Sequence, residues 1–165
     1  MTPLIVVECG NDEQLMKLLD VPKKRIQHEG NRDEVVKFVL KKEPGYCIGV
    51  VDEDPGTPRS KQRTRFKAQR PTADLHEEVM EKRRLVVLHP MLEGWLIKAV
   101  HACGGRMEKL DKGLSDDPSE LHAQLSPRGD RRMEKIVAFL EQKNSKYLKE
   151  LRHQLGLLET KPRKR

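Results

Sequence analysis

Aromatic residues are nearly missing from this chain of 165 residues, in which Phe, Trp and Tyr together make up 4%. Its core must therefore be aliphatic. Cysteine is equally scarce: Cys9, Cys47 and Cys103 are odd in number, far apart and form no CxxC pair. That argues against a disulfide framework or a zinc knuckle and for a reduced intracellular setting. No apolar run approaches the roughly 18 residues that span a bilayer. The amino terminus also lacks the basic start, apolar middle and small-residue cleavage site of a signal peptide. A cytoplasmic protein with no membrane partner is expected. Neither a Gly-rich phosphate loop nor a Ser-His-Asp arrangement is visible, so nucleotide hydrolysis would need a partner protein.

What is present is charge. Asp, Glu, Lys and Arg make up 36% of the chain, and 33 basic residues against 26 acidic ones give a net charge of +7. Such an excess favours an anionic partner. It is also concentrated. Arg59 to Arg70 holds six basic and no acidic residues, and Lys161-Pro162-Arg163-Lys164-Arg165 is nearly all basic.

The first half alternates apolar runs with helical patterns, which predicts βαβ units around a mostly parallel sheet. Strands are expected at Pro3–Val7, Tyr46–Val51 and Leu85–Leu88, with a weaker one near Arg25-Ile26-Gln27. Helical spacing follows Asn11, from Leu15 to Leu19, and again after Asn31, from Val35 to Leu40, stopped by Pro44-Gly45. Leu75 and Val79 predict an amphipathic helix over Thr72–Lys82, and another is expected over Met91–His101. Asp52 to Pro58 reads as a loop, and Arg59 to Lys67, with almost nothing to bury, as a mobile loop. Beyond Arg106 the pattern turns helical, with apolar faces over Asp130–Lys143 and Ser145–Leu158 that predict a carboxy-terminal hairpin packed on the sheet. The expected organisation is an α/β domain over 1–105, a helical extension over 106–160 and a basic tail over 161–165.

The acidic residues carry the chemistry. Each expected parallel strand ends near carboxylates: Glu8 after the first, Asp52-Glu53-Asp54 after the second, and Glu93 shortly after the third. If the three strands run parallel, their carboxyl ends converge, where open α/β sheets place their sites. Oxygen-rich clusters of this kind suit hard divalent cations. Alternation along an extended strand puts Asp52 and Asp54 on one side and Glu53 on the other. Each acid also has a structural reading. Asp-Glu-Asp-Pro-Gly is a good polar turn, Glu8 closes a strand, and Asp12, Glu13 and Glu93 sit at helix starts where the dipole favours carboxylates.

Taken together, Val6-Val7-Glu8-Cys9-Gly10-Asn11-Asp12, Val50-Val51-Asp52-Glu53-Asp54 and Pro90-Met91-Leu92-Glu93-Gly94 resemble the TOPRIM fold, the metal-binding domain of topoisomerases, primases and OLD-family nucleases. The resemblance covers roughly residues 1–105. It implies a mostly parallel TOPRIM-like sheet flanked by helices, with Asp52 and Asp54 as ligands of one Mg2+ or Mn2+. Glu8 would hold metal or transfer a proton, and Asp12 and Glu93 would complete a second site, with two ions about 4 Å apart in phosphodiester hydrolysis. It further implies a role in defence or genome maintenance beside an ATPase partner.

The basic run supplies a nucleic-acid surface. Arg59, Lys61, Arg63, Arg65 and Lys67 directly follow the Asp-x-Asp loop and would clamp a DNA or RNA backbone without sequence preference, with Lys98 as a further phosphate contact and Phe66 as a stacking ring. Asp52-Glu53-Asp54-Pro55-Gly56-Thr57 also approaches the Asp-x-Asp-Gly-Thr start of haloacid-dehalogenase phosphatases, but Pro55 interrupts it. The six histidines show no metal-ligand spacing; His89, beside the acidic positions, reads as a turn residue, and Trp95 as core. The leading expectation is a metal-dependent nuclease, and the alternative is a noncatalytic nucleic-acid-binding or complex-assembly subunit.

Overall fold

A computed structural model of the chain describes residues 2–72, 74–125 and 131–157. The basic tail at 161–165 and the expected helix start at Asp130 lie outside the described residues. The chain divides into two compact units, Met1–Met91 and Leu92–Arg165. The division falls before the helix that begins at Leu92, whereas the sequence pattern changes after residue 105. That helix groups with the carboxy-terminal helices because it packs against three of them.

The first unit is α/β. Strands β1 (Leu4–Val7), β2 (Ile26–His28), β3 (Cys47–Asp52), β4 (Lys67–Thr72), β5 (Leu75–Met80) and β6 (Arg83–Leu88) form one sheet in the order β2-β1-β3-β6-β5-β4. Helices α1 (Gly10–Leu18) and α2 (Arg32–Lys41) connect its first strands. The pairs β1/β2, β1/β3 and β3/β6 are parallel, whereas β4 and β5 add antiparallel to the β6 edge. Ile5, Val6, Val7, Val50, Val51 and Leu85 to Leu88 are all almost fully buried. Strands covered on both faces need such continuous apolar runs, which is why these three were legible. The face carrying Val6, Val51, Leu85 and Val87 packs against Val35, Val36 and Val39 of α2. Gly49 admits that helix closely, since a Cβ there would meet Leu85 Cδ2 at 2.7 Å and Val35 Cγ1 at 3.0 Å. Asn31 caps α2 by accepting from Glu34 N at 2.9 Å.

Two expectations fail in this unit. Thr72–Lys82 is not a helix; it contains strand β5, whose register runs from Leu75↔Leu88 to Met80↔Arg83. Leu75 and Val79 are four apart, a spacing shared by one helix face and one strand face, so the pattern did not discriminate. The following turn, Glu81-Lys82, is left-handed at both residues (φ 48° and 64°), as a two-residue hairpin requires, yet carries no Gly or Asn to announce it. Nor is Arg59–Lys67 simply an exposed loop. Arg63–Arg65 forms a 3-10 turn, and both Arg63 and Phe66 are buried.

The second unit is helical: α3 (Leu92–Ala102), α4 (Met107–Leu110), α5 (Pro118–Gln124), α6 (Arg132–Gln142) and α7 (Lys146–Gln154). The expected apolar faces are buried, namely Met133, Ile136, Val137 and Leu140 on α6 and Leu148 and Leu151 on α7. Trp95 is fully buried, with Tyr147 edge-on at 6.1 Å between ring centroids. Gly105 allows Phe139 to approach, because a Cβ there would lie 2.6 Å from its ring. Among the described residues no helix is long and apolar enough to cross a membrane.

Candidate metal centre

The carboxyl ends of β1 and β3 lie beside each other, since Val6 pairs with Gly49 in parallel register. Glu8, one residue past β1, hydrogen-bonds Asp52 at the end of β3 and lies within electrostatic reach of Asp12 and Asp54. Its Oε2 is buried and has no hydrogen-bond partner among the described residues. Burial, reinforced by the charges of Asp12 and Asp54, pushes the Glu8 carboxyl up to about 7, although the Asp52 hydrogen bond and Arg32 pull the other way. Four of the sequence-predicted acids thus share one neighbourhood.

Each is locally anchored. Asp12, 2% exposed in the first turn of α1, accepts at Oδ2 from Cys9 N (3.3 Å) and Cys9 Sγ (3.1 Å). Its helix-capping role is therefore present alongside its place near Glu8. Asp54 is left-handed at φ 43°, donates its N–H to Pro90 O at 2.8 Å and accepts from Thr57 Oγ1 at 2.7 Å. The loop that carries Asp52 and Asp54 is gripped by Arg32, which in the sequence is only part of a helix start. Its guanidinium donates to Glu53 O (2.6 Å), Pro58 O (2.9 Å) and Thr57 O (3.2 Å). Arg32 sits in the first turn of α2 and is only 8% exposed, so the helix start and the acidic loop are tied together.

Glu53, one residue past β3, faces a different set of partners, although the chain beyond Asp52 is not an extended strand. Its Oε1 accepts from Arg59 at 2.7 Å and its Oε2 from Arg63 at 2.6 Å. Arg63 also reaches Glu78 through Nε (3.1 Å) and Nη2 (2.9 Å), and His76 Nε2 meets Glu78 Oε2 at 2.8 Å. Arg63 and Glu78 are both fully buried. Burial alone would raise the Glu78 carboxyl, but the hydrogen bonds from His76 and Arg63 and the charges of Arg63 and Arg59 outweigh it and hold it at about 2. Glu53 is lowered for the same reason, its two arginines overcoming its burial. Beyond His76, the Nδ1 of its ring meets Nε2 of His89. Burial and the neighbouring His76 keep His89 below the usual imidazole range.

The basic segment therefore splits. Arg63, expected on the nucleic-acid surface, is a buried structural cation, and Phe66, expected to stack, belongs to the sheet core. Arg59 is 40% exposed on its side chain but paired with Glu53, while Lys61, Arg65 and Lys67 are exposed. In the second unit, Lys98 is exposed on α3, and Glu93, in its first turn, is buried with Oε1 2.7 Å from His122 Nδ1.

The pairings of His76, Glu78 and His89 leave no local signal in the sequence. On the expected helix, His76 and Glu78 would point roughly 200° apart; on a strand they share a face. A strand assignment was the missing signal. No family model matches the chain, and no curated protein or solved structure is significantly similar to it.

Proposed function

We propose that the chain is a divalent-metal-dependent phosphodiesterase acting on DNA or RNA, with Glu8, Asp52 and Asp54, supported by Asp12, holding Mg2+ or Mn2+. The observation that carries this reading is the buried, unpartnered Oε2 of Glu8 among three further carboxylates. Such a group is costly where the charge of Asp12 acts on it more strongly than that of Arg32, and a hard cation is the partner that oxygen ligands suit best. The order of these acids along the chain resembles that of TOPRIM nucleases, which favours phosphodiester chemistry over simple cation storage.

A bound ion supplies charge neutralisation at the scissile phosphate and a more acidic water. The chain's own contributions are separable. Glu8, with its carboxyl raised to about 7 in the metal-free protein, gives up that proton as a cation binds, so ion uptake near neutral pH is coupled to proton release. Arg32 holds Asp52 and Asp54 in place through the loop carbonyls. Exposed Lys61, Arg65 and Lys67 offer phosphate contacts beyond the acidic loop.

The test is cleavage of labelled single- and double-stranded DNA and RNA in Mg2+, Mn2+ or chelator. Cleavage should need metal and fall at least about 100-fold in Asp52→Asn/Asp54→Asn, while nucleic-acid affinity persists. Absence of cleavage in every metal, with binding retained in chelator, would replace this reading with that of a noncatalytic binding subunit using the exposed basic residues.

A further inference from the structure

Glu53, His76 and His89 place one ligand atom each within 4.8 Å of one another. None of the three belongs to the carboxylate group around Glu8, and their chemistry differs from it. Two imidazole nitrogens and one carboxylate oxygen suit a borderline transition ion, whereas magnesium and calcium prefer oxygen alone. We propose that Glu53, His76 and His89 form a second cation site, specific for a borderline divalent metal such as Zn2+ or Co2+ over Mg2+.

The surroundings are built as such a site needs. A ligating histidine ordinarily gives its second ring nitrogen to a carboxylate, which fixes the tautomer and aims the other nitrogen at the metal. His76 has this arrangement: Nε2 lies 2.8 Å from Glu78 Oε2, and Nδ1 is turned toward His89 Nε2. Glu78 is itself immobilised by two contacts from buried Arg63. The carboxylate–histidine pair therefore sits on one face of β5 with no freedom to turn away. His89 comes from the end of β6, beside β5, with its backbone N–H fixed by Asp74 O at 2.9 Å. Glu53 follows β3, with its N–H held by Leu88 O at 2.9 Å. Three neighbouring chain segments thus deliver three donors to one point from rigid positions. A three-ligand set leaves one tetrahedral position for water or an anion.

Two guanidiniums oppose cation binding. Arg63 holds Glu53 Oε2 at 2.6 Å, and Arg59 bonds Oε1 through both Nε (3.3 Å) and Nη2 (2.7 Å), so an incoming metal takes Oε1 in competition with Arg59. Arg59 is 40% exposed and follows a loop, so it can swing out, which the fully buried Arg63 cannot. The competition yields a prediction of opposite sign to ligand removal: neutralising Arg59 should tighten metal binding.

The 165-residue chain, stripped with chelator, would be titrated with Co2+ in saturating Mg2+, following visible absorption and calorimetric stoichiometry, with Zn2+ as competitor. One Co2+ per chain with the intense absorption of low coordination, displaced by Zn2+, is expected. His89→Gln, which alters a half-buried ring, should weaken binding at least about 10-fold, and Arg59→Gln should strengthen it several-fold. Asp52→Asn/Asp54→Asn should leave it unchanged, which keeps this result separate from the phosphodiesterase reading. If His76 and His89 merely share a proton, Co2+ will give only the pale spectrum of an aqueous ion, and neither His89→Gln nor Arg59→Gln will change its affinity. Loss of the signal in Asp52→Asn/Asp54→Asn instead would place the ion in the carboxylate group and equally overturn the proposal.

Discussion

At the scale of single residues, Glu8 is a carboxyl that burial and the charges of Asp12 and Asp54 raise from 4.5 to about 7. Its folded-state pKa lies above its unfolded one, so the folded chain retains a proton that the unfolded chain releases first. The stability this confers is complete below about 4.5 and is lost as pH rises through about 7. In chelator, the melting temperature should therefore fall across that window in the wild type and much less in Glu8→Gln. Mn2+ should restore the loss in the wild type alone, because a bound cation takes the place of the proton. A melting profile in chelator that is identical for the two proteins would refute the buried-carboxyl account. The same scale shows why one arginine cannot stand for another. Arg63 and Arg65 are two residues apart in one basic run, yet the first is fully buried between Glu53 and Glu78 and the second is exposed. Nothing within the run distinguishes them; the distinction comes from Glu78, which lies on strand β5.

At the scale of elements, the site depends on how closely α2 lies on β3. Arg32 at one end of the helix holds the acidic loop, and Val35 and Val39 further along it meet Gly49 in the strand. A methyl group at position 49 would crowd Leu85, Val35 and Val39 at 2.7–3.1 Å. Gly49→Ala should therefore destabilise by about 1–3 kcal/mol in urea unfolding, the usual cost of overpacking a filled core. Because the displaced helix carries Arg32, the metal affinity proposed for the carboxylates should drop with it; a neutral Gly49→Ala would show that α2 has room to move. Strands β1, β3 and β6 were legible because burial on both faces demands unbroken apolar runs. Strand β5 was not. Its charged sequence, Leu-His-Glu-Glu-Val-Met, buries Glu78 and His76 only because Arg63 and His89 neutralise or pair them.

At the scale of the whole chain, a net charge of +7 favours anionic partners, and the exposed part of the basic segment is where the first unit can express it. Each phosphate contact contributes a slope of about 0.9 in log affinity against log salt on duplex DNA, and about 0.7 on single strands. Lys61→Ala/Arg65→Ala/Lys67→Ala should reduce that slope by roughly 2 to 3 in fluorescence titrations across salt concentrations. An unchanged slope would move the interface elsewhere on the chain.

Alternating apolar runs and helical periods were enough to predict the parallel strands, α2, α3, α6 and α7, and the acids at the strand ends, because that information is contained within a few consecutive residues. The resemblance drawn from those acids implied a metal and a nucleic-acid substrate, and both belong to the proposed function. The long-range pairings were beyond such reading. Arg63 meets Glu78 across 15 positions and His76 meets His89 across 13, while Arg32 reaches carbonyls 21 to 26 residues away. A buried charge or a paired imidazole is stable only once its partner has been brought to it. Before the chain folds back on itself, those residues look like ordinary solvated side chains.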